Sequence, residues 1–205
     1  MTQDNFFENI HAFNLTDIPL ILGSQSPRRK QLLHALGLTF EVIVRPTEEH
    51  ILPNISTDEV VKHIAIEKAR AFADLADQHL IITADTIVVL QEKILGKPSN
   101  EKEAIAMLEA LSGKMHLVKT GVCLFHKYQQ HSFVETTKVY FRELSEAEIR
   151  HYVKNYQPFD KAGGYGAQEW IGMTAMERID GDFYNVMGLP TARLYKEMTH
   201  FLAKK

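Results

Sequence analysis

The 205-residue chain holds a single cysteine, Cys123, so no disulfide can form within it. Cys123 sits in an apolar run and reads as a small buried hydrophobe in a reducing compartment. No stretch reaches the ~18 consecutive apolar residues of a membrane helix. The N-terminus (MTQDNFFENIHAFNLTDIP) has no basic segment followed by an apolar core, which argues against a secretory signal. These absences predict a cytoplasmic protein with no membrane partner. Strong charge of one sign is missing too: 23 Lys and Arg stand against 26 Asp and Glu, a net charge of −3. Nothing global would attract a nucleic acid polymer, so any anion must be held by a local cluster. Ten histidines are scattered without an H-E-x-x-H pair or a Cys/His cluster, which argues against a histidine-held zinc site.

What is present is ordinary globular composition, 45% hydrophobic and 24% charged, enough for one well-cored domain. Residues 1–18 read as an N-terminal extension and 19–205 as the domain. The stretch LILGSQSPRRKQLLHALG, from Leu20 to Gly37, spells a short strand, a tight turn and a helix. Ser26 suits the N-cap, Pro27 the first helical position, and Gly37 the stop. Arg28 and Arg29 then fall in the first turn, where cations oppose the helix dipole by roughly 0.3–1 kcal/mol each. Either they are solvated, or with Ser24, Ser26 and backbone N–H groups they form an anion site.

Thr39–Val44 (TFEVIV) predicts a strand with Phe40, Val42 and Val44 on one face. A polar loop follows with adjacent Glu48 and Glu49, which are either solvated or able to supply oxygen to Mg²⁺. A helix is expected from Ser56 or Thr57 to about Asp77, with Lys68 interrupting its apolar face. That lysine either lays its stem on the core or aims its amine into a cleft. Residues 80–90 (LIITADTIVVL) read as a strand buried on both faces, and Asp85 stands in the middle of it. An unpaired carboxylate there costs several kcal/mol, so Asp85 is the most suspicious acid in the chain.

Further on, Gly96-Lys97-Pro98 places a second lysine in a constrained loop, and Ser99 or Asn100 caps a helix ended by Gly113. Two strands, His116–Tyr128 and Ser132–Leu144, predict a hairpin turning at Gln129–His131. Ser145 with Glu148 forms a capping box. Lys161-Ala-Gly-Gly-Tyr-Gly-Ala-Gln168 matches neither G-x-G-x-x-G nor a P-loop, but its glycines permit close backbone approach to a ligand. A last helix spans 190–202. Alternating strands and helices followed by a hairpin predict an α/β fold with a mixed, twisted central sheet flanked by helices. The residues that break the apolar pattern are Arg28, Arg29, Lys68, Lys97, Glu49 and Asp85. Four cations and two carboxylates are what metal-assisted phosphate chemistry uses.

Seven motifs then fall in one order: Ser24-x-Ser26-Pro27-Arg28-Arg29, Glu67-Lys68-Ala69, Ala84-Asp85-Thr86, Gly96-Lys97-Pro98, Ser112-Gly113-Lys114-x-His116, Lys161–Gln168 and Asn185-Val186-x-Gly188-Leu189-Pro190. In these the chain resembles the Maf-like nucleoside triphosphate pyrophosphatases, from about Pro19 to the C-terminus. The resemblance implies a Maf/ITPase-like fold with a cleft between two lobes. It implies hydrolysis of a nucleoside triphosphate between the α- and β-phosphates, with a divalent metal cation, Mg²⁺ or Mn²⁺. Asp85 would act as general base or mainly as metal ligand, and Glu49, from the carboxylates of its own loop, is the second candidate metal ligand. Ser24, Arg28, Arg29, Lys68, Thr86, Lys97 and Gln168 would bind or select substrate, and the family suggests a homodimer. The K-A-G-x-Y-G-x-Q pattern resembles the dTTP/UTP branch, whose Gln amide can pair with the O4 acceptor and N3–H donor of uracil or thymine. The other reading is a non-catalytic nucleotide-binding regulator linked to septum formation. A Nudix hydrolase is disfavoured because no R-E-x-x-E-E helix is present.

Overall fold

The computed structural model describes residues 17–47 and 55–203. Glu48, Glu49 and most of the N-terminal extension lie outside that range. The first motif folds as its residues dictate. Strand β1 (Leu20–Leu22) is fully buried. Helix α1 (Pro27–Ala35) is capped by the Ser26 side chain, which accepts the Arg29 N–H at 3.4 Å. Gly37 takes a positive φ of 73°, the conformation that ends the helix.

Among the described residues, seven strands, β1 to β7 (β2 Glu41–Val42, β3 Leu80–Leu90, β4 Lys93–Leu95, β5 Met115–His126, β6 Gln129–Phe141, β7 Met176–Asp180), form one mixed sheet in the order β2-β1-β3-β5-β6-β7, with β4 paired to β3 beside that path. Strand β2 is only Glu41–Val42 at one edge, shorter than the expected Thr39–Val44. Its side chains do not share one buried face: Val42 and Val44 are exposed while Phe40 packs on the core. Helix α2 (Thr57–Arg70) stops earlier than expected. The chain beyond it tightens into i→i+3 bonds, Phe72 N–H to Ala69 and Ala73 N–H to Arg70, and these tuck Phe72 into the core.

Strand β3 (Leu80–Leu90) is the spine of the sheet. One edge pairs with β5 (Met115–His126) from Ile81 to Val89. The other edge is shared. Its first residues, 80–82, run parallel to β1, and its last, 88–90, pair antiparallel with β4 (Lys93–Leu95). Residues 83–87 have no strand on that side among the described residues. Asp85 sits in the middle of this opening.

Beyond β5, β6 (Gln129–Phe141) completes a hairpin. Its turn is Lys127–Tyr128, both with positive φ (47° and 62°), two residues earlier than expected. A two-residue turn with both residues left-handed matches the twist of the strands, and no glycine or asparagine marked it. The remaining helices are α3 (Glu101–Leu111, capped by Asn100), α4 (Glu146–Tyr156) with the expected Ser145–Glu148 box, and α7 (Thr191–Ala203). Between α4 and α7 lie elements the periodicity did not reveal. These are α5 (Trp170–Ala175), strand β7 (Met176–Asp180) on the edge beside β6, and α6 (Phe183–Met187).

One face of β3 serves two apolar clusters. Leu80, Ile82 and Ala84 pack with α1 and α7, while Val88 and Leu90 pack with α3 and α4. The opposite face carries α2 through Ile81, Ala65 and Ala69. That helix lies close because Gly121, directly opposite Asp85 in the β3–β5 ladder, has no side chain: a Cβ there would strike the Val61 carbonyl. The Thr83 hydroxyl also donates to the Ala65 carbonyl at 2.6 Å. Gly121→Ala should therefore push α2 off the sheet and lower stability by about 1–3 kcal/mol, read as a lower midpoint in urea denaturation.

Candidate active site

A cleft of about 770 Å³ opens where β3 loses its strand neighbour. Its size is in the range of small-molecule sites. Among the described residues, six cations line it (Arg28, Arg29, Arg45, Lys68, Lys97 and Lys161) against two lining carboxylates, Asp85 and Asp160, and with Asp74 beside Arg45 and Glu169 beside Lys161 a surplus of two positive charges remains. That surplus gathers at one place in a chain of net charge −3, and low-dielectric walls concentrate its field on an anion.

On the floor, Lys68 Nζ meets Asp85 Oδ1 at 2.7 Å, with side chains 19% and 16% exposed. Lys68 therefore aims its amine into the cleft, and the suspicious acid has its partner. Lys68 reaches Asp85 from α2, the helix that Gly121 lets lie close to the sheet.

The two arginines of α1 have different surroundings. Arg29 turns inward and is 9% exposed. Its Nε donates to the Gly188 carbonyl at 2.9 Å, and Nη1 donates to Ala84 O at 2.8 Å and Ser24 Oγ at 3.1 Å. Nη2 donates to Thr86 Oγ1 at 3.0 Å. The guanidinium thus occupies the edge of β3 that a strand would otherwise pair. Ser24 and Thr86 line the cleft, and both hydroxyls serve Arg29; Thr86 also bonds Thr120 Oγ1 at 3.0 Å. Arg28, one residue earlier, lies on the cleft wall with Nη1 2.8 Å from Asp160 Oδ2. Lys97 and Gln168 are exposed at the cleft lining. Glu49 lies outside the described residues.

The glycine-rich loop is fixed from several sides. Its Gly163 N–H donates to Gly96 O at 2.9 Å, which ties it to the loop carrying Lys97. Gly163 has a φ of 70°, and a Cβ there would press on Val88. Tyr165 is buried, its hydroxyl 2.7 Å from His116 Nε2. Lys161 Nζ contacts Asp160 Oδ1 at 2.6 Å and Glu169 Oε1 at 3.1 Å. Glu169 Oε2 accepts from the Tyr152 hydroxyl, which accepts the Gly166 N–H at 3.0 Å. Burial pushes the Asp160 carboxyl up, but hydrogen bonds from Lys161 and Arg28, and their charges, outweigh it and hold the group at about 2. Asp160, Glu169 and Tyr152 are the site-shaping residues sequence reasoning missed. The only signal was the Lys161 beside Asp160 in the loop motif.

Among the described residues no three His, Cys, Asp or Glu side chains converge as a metal cage. The donor set fits a different arrangement, in which Mg²⁺ or Mn²⁺ is bound by one or two carboxylates together with substrate phosphates. Asp85 is the acid on the floor that suits it. No helix among the described residues is long and apolar enough to cross a membrane.

Residues 19–201 match the family described as Maf-like protein. A dTTP/UTP pyrophosphatase of Parabacteroides distasonis is 46% identical over 190 residues, spanning 92% of this chain and 98% of its own. A dTTP/UTP pyrophosphatase of Phocaeicola vulgatus is 49% identical over 187 residues, spanning 90% and 97%. Among solved structures, a HAM1 protein from Coxiella burnetii overlaps with a TM-score of 0.47 at 16% identity, covering 92% of this chain and all of that one.

Arg29→Met strands at least two buried carbonyls and should cost about 3 kcal/mol or more, whereas Arg28→Met, at a partly solvated pair, should cost under about 1 kcal/mol. Parallel urea titrations check the contrast. Burial pushes His116 down from 6.5 to about 4, so the folded state holds it neutral while the unfolded chain takes up a proton below 6.5. Its contribution is complete above pH 6.5 and lost as pH falls towards 4, up to about 3 kcal/mol. Stability measured across that window should fall less steeply in His116→Gln.

Proposed function

The chain belongs to the Maf-like protein family, and on that premise we propose that it is a nucleoside triphosphate pyrophosphatase acting on dTTP and UTP. The observation that carries the reading is the Lys68–Asp85 pair at 2.7 Å on the floor of a cation-lined cleft. Such a pair supplies a carboxylate able to take a proton from water and an amine able to offset developing phosphate charge. The naming of relatives at 46% and 49% identity as dTTP/UTP pyrophosphatases supports the substrate class.

In the proposed reaction, water adds to the α-phosphorus and its proton passes to Asp85. The bond from the α-phosphorus to the bridging oxygen breaks, and pyrophosphate leaves with the bonding pair. Lys68, Lys97 and Arg28 bind the phosphates and offset their charge. Arg29 does not need to touch substrate: held by Ser24 and Thr86, it fixes the strand edge on which Asp85 stands. Gln168 reads the base, since its amide offers the donor and acceptor that uracil and thymine require. A divalent cation, when bound with the triphosphate at Asp85, supplies charge neutralisation and orientation. Glu49 as a second ligand, assembly as a homodimer and a cytoplasmic location belong to the same proposal.

A panel of nucleoside triphosphates with Mg²⁺ or Mn²⁺, assayed for pyrophosphate and monophosphate release, tests this reading. We expect turnover of dTTP and UTP, abolished by a chelator and reduced about 10²–10⁴-fold in Asp85→Asn. Gln168→Glu should shift preference from pyrimidine nucleotides towards GTP. Equal activity of wild type and Asp85→Asn would sink the proposed chemistry. Nucleotide binding without any product would indicate the regulator instead.

A further inference from the structure

The Arg28–Asp160 contact joins two walls of the cleft, the first turn of α1 and the segment that follows α4. Asp160 uses both oxygens, Oδ2 for Arg28 at 2.8 Å and Oδ1 for Lys161 at 2.6 Å. From Lys161, whose side chain is 9% exposed, the polar contacts run on to Glu169, to the Tyr152 hydroxyl and to the Gly166 N–H. The chain of contacts therefore begins at Arg28, the arginine proposed to bind the phosphates, and ends under the loop that presents Gln168. Gln168 lies between the two points at which this chain grips the loop, Gly166 and Glu169.

A carboxylate at the rim of an anion-binding cleft is, by itself, a handicap, because its charge repels the ligand. A half-solvated ion pair contributes little to stability in compensation. What Asp160 does provide is geometry: one carboxylate, bonded through both oxygens, sets Arg28 and the Gln168 loop in register with each other. We infer that Asp160 is a positioning residue for nucleotide selectivity, coupling the arginine at the phosphate end to the glutamine at the base end without itself touching the substrate. This inference rests on the pyrophosphatase reading for its substrate, but its logic needs only that one ligand contacts both walls.

The two roles of Asp160 have opposite consequences, which makes them separable. Removing its charge should help any bare anion and harm discrimination among bases. In Asp160→Asn, inhibition by inorganic pyrophosphate is expected to tighten severalfold, while the ratio of kcat/KM for dTTP to that for GTP falls about tenfold. Asp160→Glu, which keeps the charge, should recover part of the ratio. In an Arg28→Ala background, Asp160→Asn should lower the ratio much less than it does alone. Tyr152→Phe cuts the same chain beneath the loop, far from the rim charge, and should lower the ratio without tightening pyrophosphate. A ratio unchanged in Asp160→Asn overturns the inference, as does activity that falls equally on every nucleotide. Should that variant fail to fold, an unchanged ratio in Tyr152→Phe overturns it. If the wild type hydrolyses no nucleotide, the pyrophosphatase reading fails; the same ratio is then taken from Kd values for dTTP and GTP in equilibrium dialysis, where a preference lost in Asp160→Asn supports the coupling and one retained overturns it.

Discussion

The buried guanidinium of Arg29 is the interaction on which the rest depends. A strand whose edge is left without a neighbour exposes carbonyls that must find donors, or the sheet frays. At Ala84 the donor is a side chain, and the same fork reaches the Gly188 carbonyl, Ser24 and Thr86. Five polar hydrogens in a fixed plane can serve acceptors from three separate chain segments; an ammonium on a flexible stem cannot hold that geometry. The opening in the sheet is thereby kept open and satisfied at once. A cleft needs this combination, since a strand filling the gap would have left no room for a ligand.

Around that clamp the site is assembled from elements that are far apart in the chain. Gly121 lets α2 approach, Lys68 arrives with it, and Asp85 receives its partner. On the opposite wall the glycine-rich loop is fixed through Gly96, His116 and Tyr152. Floor and walls are thus held by different interactions. The floor depends on backbone pairing, close packing and the buried fork of Arg29. The walls depend on polar side chains, which respond to charge and to pH.

Much of the framework could be read from residue order. The Ser26–Pro27 helix start, the continuous apolar strand 80–90 and the Ser145–Glu148 box each carry their own local cause. Other features lack one. Lys127 and Tyr128 adopt the left-handed turn because the paired strands require it. The edge strand Met176–Asp180 is mostly exposed on both faces and shows no alternation. In the site, Asp85 and Lys68 stood out because they interrupt apolar patterns. Arg28 and Arg29 did not separate, because neighbouring helical residues differ by about 100° in direction, and only the tertiary fold says which direction is inward. Asp160, Glu169 and Tyr152 act through one another, and a pairwise contact across the fold leaves no mark on a local pattern.

The spine strand has a consequence for how this molecule exchanges ligands. Its backbone pairs with β5 from Ile81 to Val89 and is held on the other edge by β1, by Arg29 at Ala84 and by β4, and core strands held in this way lie at the high end of opening free energies. The acid at its centre is therefore mounted on the part of the protein that moves least. Entry and departure of a ligand become the business of the rim, where half-solvated ion pairs can break and re-form on their own timescale. Chemistry and traffic are assigned to different mechanical parts, so the rim can be retuned by substitution while the reacting floor stays in place.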